Sequence, residues 1–364
     1  MKDSFGNSVS VTISGESHGA ALVAVLSGLA PGIPVDEDFI AAQLTKRRPA
    51  GAISTARREA DKFEILSGVF GGFTTGTPVT ILIPNENTVS KDYSEIASSA
   101  RPGHADYAAQ CKYHGFQDYR GGGHFSGRVT AALVAAGAIA LSALGRKGIK
   151  IGTHVASCGG VRDRALGNLD EDIDLLNSEG FAVLDGEAGK KMEEAILAAS
   201  ENLDSVGGVL ETAVTGVPAG VGEPFFDSVE SRLAHILFSI PAIKGVEFGS
   251  GFAMADMRGS EANDPFGIDE SGKIYTKTNH NGGINGGITN GAPIVFRCAV
   301  KPTPSVARPQ ETVDFIKNEE KILEIHGRHD PAIVHRARVV VDSAAALALC
   351  DLLAERYGTD WLGG

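Results

Sequence analysis

Four short loops in this chain combine histidine, arginine and glycine in ways that suit acid–base or anion chemistry. The first, Gly15-Glu16-Ser17-His18-Gly19, follows a β-branched run and precedes an apolar segment, so His18 is expected on a strand end. An imidazole on such a rigid edge can give or take a proton near neutral pH. In the second, Arg101-Pro102-Gly103-His104-Ala105-Asp106, a turn sets His104 between an arginine and a carboxylate that could orient or charge its ring. The third, Arg120-Gly121-Gly122-Gly123-His124-Phe125-Ser126-Gly127-Arg128, is the most distinctive. Its glycines let backbone amides approach a ligand, Ser126 can cap a helix, and a helix starting near Val129 aims its positive end at the loop. An anion is the natural occupant. The fourth, Gly327-Arg328-His329-Asp330-Pro331, follows an expected helical stretch and could deliver Arg328 and Asp330 side by side. Lys301-Pro302-Thr303-Pro304-Ser305 adds a lysine and hydroxyls in a proline-stiffened turn, which favours phosphate. Each loop alone also reads as an ordinary polar turn. Together with Arg47-Arg48-Pro49 and Arg57-Arg58 they favour a small polyanionic ligand, because guanidinium grips carboxylate or phosphate with paired hydrogen bonds.

The elements that must hold these loops can be read from composition and pattern. The chain has 364 residues, 43% hydrophobic and 21% charged, as expected of a folded globular protein. No stretch approaches a membrane span, and the N-terminus lacks the basic-then-apolar order of a secretory signal, so the expected compartment is the cytoplasm with no membrane partner. Net charge is −12, which disfavours nucleic acid, but residues 1–150 hold 15 Lys/Arg against 13 Asp/Glu and the acidity lies beyond them. Residues 163–204 carry twelve acids and read as a solvated, partly helical surface. The four cysteines, Cys111, Cys158, Cys298 and Cys350, form no metal-spaced pair, so no metal is expected and buried reduced thiols are.

Two segments recur in order. Gly28-Leu-Ala-Pro-Gly32 returns 188 residues later at Gly216 and Gly220. Gly68-x-x-Gly71-Gly72-x-Thr74-x-Gly76-x-Pro78 returns 215 residues later from Gly283 to Pro293, and an Ala-rich helical pattern follows each copy. Apolar spacing predicts helices over 36–44, 129–144, 190–202, 229–238, 313–325 and 343–356. Short β-branched runs predict strands over 9–13, 63–66, 78–83, 206–215, 293–300 and 338–341. Gly-Gly turns between strands favour hairpins. The expected fold class is α+β, with two similar halves, each laying helices on an antiparallel sheet, fused into one large domain. The halves span about 8–147 and 203–357, with an acidic connector at about 160–202.

Dinucleotide, P-loop, zinc-protease and serine-hydrolase signatures are missing. The residues alone leave an anion-binding lyase first and a flavin oxidoreductase second, with a catalytically silent ligand binder as a third class. The ordered set GESHG, RRP, RPGHADY, RGGGHFSGR, KGVEFG, NHNGGINGG, KPTPS and GRHDP resembles the chorismate synthase family over about residues 5–350. The resemblance implies the 1,4-elimination of phosphate from 5-enolpyruvylshikimate 3-phosphate, with reduced FMN required although there is no net redox change. It implies His18, His104 and Asp330 as catalytic residues. Substrate would be held by Ser17, Arg47, Arg48, Arg128 and Arg328. FMN would be held by His124, Phe125, Ser126, Pro241, Ala242, Gly286, Lys301, Pro302, Thr303, Pro304, Ser305 and Arg328. The family is usually a homotetramer. No insertion is large enough for a reductase domain, so NADPH is expected to enter only through a separate flavin reductase.

Overall fold

The computed structural model describes residues 3–49, 51–54, 60–86, 97–325 and 330–363. The first half runs β1 (Ser4–Phe5), β2 (Ser10–Ser14), β3 (Ala21–Ser27), α1 (Glu37–Arg47), β4 (Glu64–Ser67), the small hairpin β5 (Val69–Phe70) and β6 (Phe73–Thr74), and β7 (Val79–Pro84). After it come α2 (Asp106–Tyr113) and α3 (Thr130–Arg146). Next come β8 (Lys150–Cys158), β9 (Val161–Arg162), α4 (Leu169–Ser178) and α5 (Gly186–Glu201), and the second half runs from β10 (Gly208–Thr215) through α6 (Val229–Leu237) and β11 (Ile243–Phe248). It continues through α7 (Gly259–Ala262) and the hairpins β12 (Phe266–Ile268) with β13 (Ile274–Thr276) and β14 (Ile284–Asn285) with β15 (Ile288–Thr289). β16 (Ile294–Val300), β17 (Gln310–Asp314), β18 (Glu319–Leu323), α8 (Val334–Tyr357) and α9 (Asp360–Gly363) complete it.

The internal repeat becomes visible as topology. One antiparallel sheet has the order β1-β2-β3-β7-β4, and the other the matching order β9-β8-β10-β16-β11. The repeated threonines explain why the copied turns have the same shape. Thr74 Oγ1 donates to Ala30 O and accepts from Ile33 N, and Thr289 Oγ1 donates to Pro218 O and accepts from Val221 N. Each hydroxyl thus closes the Gly-rich hairpin of its half onto the turn after its central strand.

Helices α3 and α8 lie between the sheets. α3 packs on β3 and β7, α8 packs on β8 and β10, and the two helices pack on each other. Small residues permit that contact: a Cβ on Gly137 of α3 would come within 2.3 Å of Ser343 Cβ on α8. The segment Gly127–Arg146 is long and apolar enough to cross a membrane, contrary to the expectation that no stretch approaches a span. Its position accounts for the composition, because alanines, leucines and valines along α3 are buried against a sheet on one side and α8 on the other.

Two expected elements are otherwise. Residues 313–325 form most of the β17–β18 hairpin rather than a helix. The Asp314 carboxylate accepts Ile316 N and Lys317 N, and Asn318 takes φ 57°, so side-chain turn chemistry overrides the apolar spacing. Residues 338–341 lie inside α8 rather than in a strand. A run of valines costs a helix only tenths of a kcal/mol per residue, and burial on several sides outweighs that. Arg338, fully buried, extends from this run to the carbonyls of Leu176 and Glu179 at the end of α4. Three cysteines are buried, their thiols pushed up by burial to about 11 for Cys158 and about 12 for Cys298 and Cys350. Cys111 departs from expectation and is exposed.

The acidic stretch is not merely solvated. The Asp163 side chain is buried, accepts Leu184 N and Asp185 N, and lies 2.8 Å from His154 Nδ1, while Glu211 lies 3.0 Å from His154 Nε2. Burial alone depresses the His154 pKa, but the bonds to Asp163 and Glu211 outweigh it and raise the imidazole above 6.5. A raised pKa stabilises the fold fully below the unfolded value and loses that contribution as pH climbs through the folded one. The melting-temperature advantage of wild type over His154→Gln is therefore expected to be largest near about pH 6 and to shrink toward about pH 9. An advantage constant across that range contradicts a charged imidazole.

Candidate active site

One cavity of about 1600 Å³ opens where the two halves meet. It is larger than the roughly 300–1,000 Å³ of a pocket for a single drug-sized ligand, so it has room for two. Its walls include His18, Arg47, His104, His124, Phe125, Ser126 and Arg128 from the first half. From the second come Pro241, Ala242, Lys301, Thr303, Pro304, Ser305 and Asp330.

The GESHG loop leaves the end of β2 and is clamped by the glycine loop. Ser17 N donates to Gly123 O (3.0 Å), and the His124 ring contacts Gly15 O through Nδ1 (2.7 Å). His18 is 7% exposed and Ser17 1%. Gly121, at φ 59°, lies against both: a Cβ there would fall 2.3 Å from His18 Cε1 and 2.8 Å from Ser17 Oγ. Only glycine fits this position. Ser126 caps the turn into α3 by accepting Arg128 N, so the helix start faces the cavity as expected. Asn85, just after β7, braces the arrangement by donating to Glu16 O and Gly19 O while accepting from Arg128 Nε (3.0 Å).

The RPGHAD turn meets the other half. His104 Nε2 lies 2.8 Å from Ser305 Oγ, Lys301 Nζ donates to Gly103 O, and a Cβ on Gly103 would press on Pro304 at 2.8 Å. Partial burial, with Lys244 nearby, lowers the Lys301 pKa. Lys301 N also donates to Ala242 O (3.0 Å), which holds the 241–242 turn beside the KPTPS loop, with Ala242 at φ 77°. Asp106 does not reach His104. It takes Arg101 in a two-point pair at 2.7 Å and opens α2, because the arginine fork matches a carboxylate better than an imidazole does.

The arginines divide. Arg47 and Arg128 line the cavity and converge on Asp61, which pattern did not single out. Arg48 does not line the cavity and donates to Ala60 O. Arg120, expected to flank a bound anion, is held by Asp118 at 2.7 Å, and its bond lowers the Asp118 pKa. Asp330 pairs with Arg336, whose Nε donates to Arg47 O (2.8 Å). Arg336 was also missed, since nothing in the spacing of α8 shows that it turns toward the cavity. Gly286 sits in the β14–β15 turn with open space around it and does not line the cavity; Pro302 does not line it either. Arg57, Arg58, Arg328 and His329 lie outside the described residues.

The residues fit a phosphorylated ligand together with a second planar one. Thr303 Oγ1, from a residue of the cavity wall, and Ser17 Oγ, from a residue that does not line the cavity, are buried without a hydrogen-bond partner among the described residues. The triple-glycine loop packs so closely on His18 and Ser17 that a Cβ at Gly121 would collide with both. Among the described residues no cluster of ligands could hold a metal ion.

Comparison with known proteins gives the family. The family model described as chorismate synthase matches residues 9–354. A chorismate synthase of Pyrococcus abyssi is 46% identical over 351 residues, covering 96% of this chain and 97% of that one. One of Lachnoclostridium phytofermentans is 48% identical over 352 residues, covering 96% and 94%. A crystal structure of a chorismate synthase superimposes with a TM-score of 0.77 at 31% identity, covering 97% of this chain and 94% of that one. With residues 9–354 matched by the family model and relatives 46–48% identical over 96% of its length, the chain belongs to the chorismate synthase family.

Proposed function

We propose that this cavity carries out the family's reaction with reduced FMN as cofactor, converting 5-enolpyruvylshikimate 3-phosphate to chorismate and phosphate. The observation that carries the reading is the meeting of His18, His104, Asp330, Arg47 and Arg128 with the KPTPS loop around one cavity between the halves. The reaction breaks the allylic C–O bond to phosphate and the C6–H bond and forms one new double bond, so the protein needs an acid, a base and anion donors. Arg47 and Arg128 would bind the phosphate and carboxylates. Buried guanidinium does so strongly because water competes little. His18 would donate a proton toward the departing phosphate, with Ser17 behind it. Asp330, its carboxylate oriented by Arg336, would receive the C6 proton. Pro241, Ala242, Lys301, Thr303, Ser305 and the 124–126 turn would hold FMN, and His104, fixed to Ser305, would serve as proton source or counter-charge for its reduced form. Reduced FMN, held there, would supply transient electron density for cleavage of the allylic C–O bond with no net consumption of reductant.

The same proposal includes a homotetramer in the cytoplasm, supplied with reduced FMN by a separate flavin reductase that uses NADPH. It also includes the division into halves at about 8–147 and 203–357 joined by 160–202. Under anaerobic conditions with photoreduced FMN, chorismate and phosphate are expected in equal amounts with no net oxidation of reductant. Stoichiometric NADPH oxidation during turnover would instead make the protein an oxidoreductase.

A further inference from the structure

Asp61 holds together two elements that are far apart in sequence. Its side chain is fully buried, Arg47 Nη2 at the end of α1 lies 2.7 Å from one carboxylate oxygen, and Arg128 Nη1 at the entry to α3 pairs with the other. Arg48 Nε lies 3.8 Å away. The Asp61 backbone is left-handed at φ 48°, a conformation that strains most residues and that Asp and Asn tolerate better than others. Arg47 and Arg128 line the cavity, whereas Asp61 does not, so the carboxylate grips both guanidinium groups from behind.

We infer that Asp61 is a positioning residue that sets the spacing of Arg47 and Arg128 as a preformed clamp for an anionic group of the substrate. The inference rests on the reading that these two arginines bind substrate anions. An unrestrained arginine has several rotatable bonds, and ordering two of them at the moment of binding opposes affinity. A shared buried carboxylate orders them in advance. Asn85 Oδ1 accepts from Arg128 Nε and Pro84 O from Arg128 Nη2, so Asp61 completes a set of fixed points on that guanidinium while joining it to Arg47.

Asp61→Asn tests this, because asparagine preserves size and tolerates the backbone angle while removing the charge. The KM for the enolpyruvyl phosphate substrate is expected to rise about tenfold or more, with kcat at saturation changed less than about threefold. A merely structural Asp61 lowers the folded fraction and hence apparent kcat while leaving KM alone, and that result overturns the proposal. A second readout needs no flavin: inorganic phosphate is expected to raise the melting temperature of wild type, and to do so for neither Asp61→Asn nor Arg47→Ala. If Arg47→Ala keeps the phosphate shift, the anion role of the arginines fails. If Arg47→Ala loses it and Asp61→Asn keeps it with KM unchanged, only the Asp61 proposal fails. Should Asp61→Asn not fold, the same comparisons are made between Arg48→Ala and Asp61→Asn/Arg48→Ala, which removes one of the three guanidinium groups gathered there.

Discussion

Alanine at His18 or at His104 is expected to lower kcat by about 10²- to 10⁴-fold, the range typical of positioned acid–base groups. The two rings reach the cavity by different routes. His18 is carried on the turn leaving β2 and pressed by the glycine loop, while His104 is steadied from the opposite half by Ser305. Neither lies in the packed interface of α3 and α8, so loss of turnover should come without loss of the folded state. Circular dichroism and thermal melting check the fold, and chorismate formation with photoreduced FMN checks the rate. Both variants turning over within about threefold of wild type would remove the acid–base assignment, since that change is far below the range expected for such groups.

Gly121→Ala should come close to these in effect although it deletes no reactive group. The new methyl would arrive 2.4 Å from His18 Nδ1 and 2.8 Å from Ser17 Oγ, on a backbone whose φ of 59° an L side chain rarely adopts. The loop must retreat or the His18 ring must move, and displacement of a reacting group by about 1 Å can cost about 10²-fold in rate. The strained backbone adds about 1 kcal/mol of destabilisation. Gly122→Ala is the informative control: its φ of 84° is just as unfavourable, but an added Cβ meets only Ser126 Cβ at 3.8 Å. A kcat for Gly121→Ala no lower than that of Gly122→Ala would mean that the loop does not set the position of His18.

Much of the site was legible in advance because its residues are local. His18 and the 301–305 turn announce themselves at the ends of β-branched runs and His104 in a Pro-Gly turn, and residues of all three line the cavity. The repeat was legible for a related reason: the same glycines and threonines are needed wherever the same turn is built. Gly286, named by motif, sits in a turn that copies the 68–78 hairpin of the other half and does not line the cavity of this chain.

What the chain determines by itself is the set of short-range preferences: which segments alternate, which turns need glycine, which side chains can carry charge or a proton. Partnership is a different matter. That Arg128 rather than Arg120 faces the cavity with Asp61 behind it, that Arg336 turns back to the carbonyl of Arg47, and that valines 339–341 are helical could not be read from neighbours in sequence. Those outcomes are set by groups tens or hundreds of residues away. A buried charge takes whichever counter-charge packing brings near, and a buried run adopts whichever shape the surrounding layers leave room for.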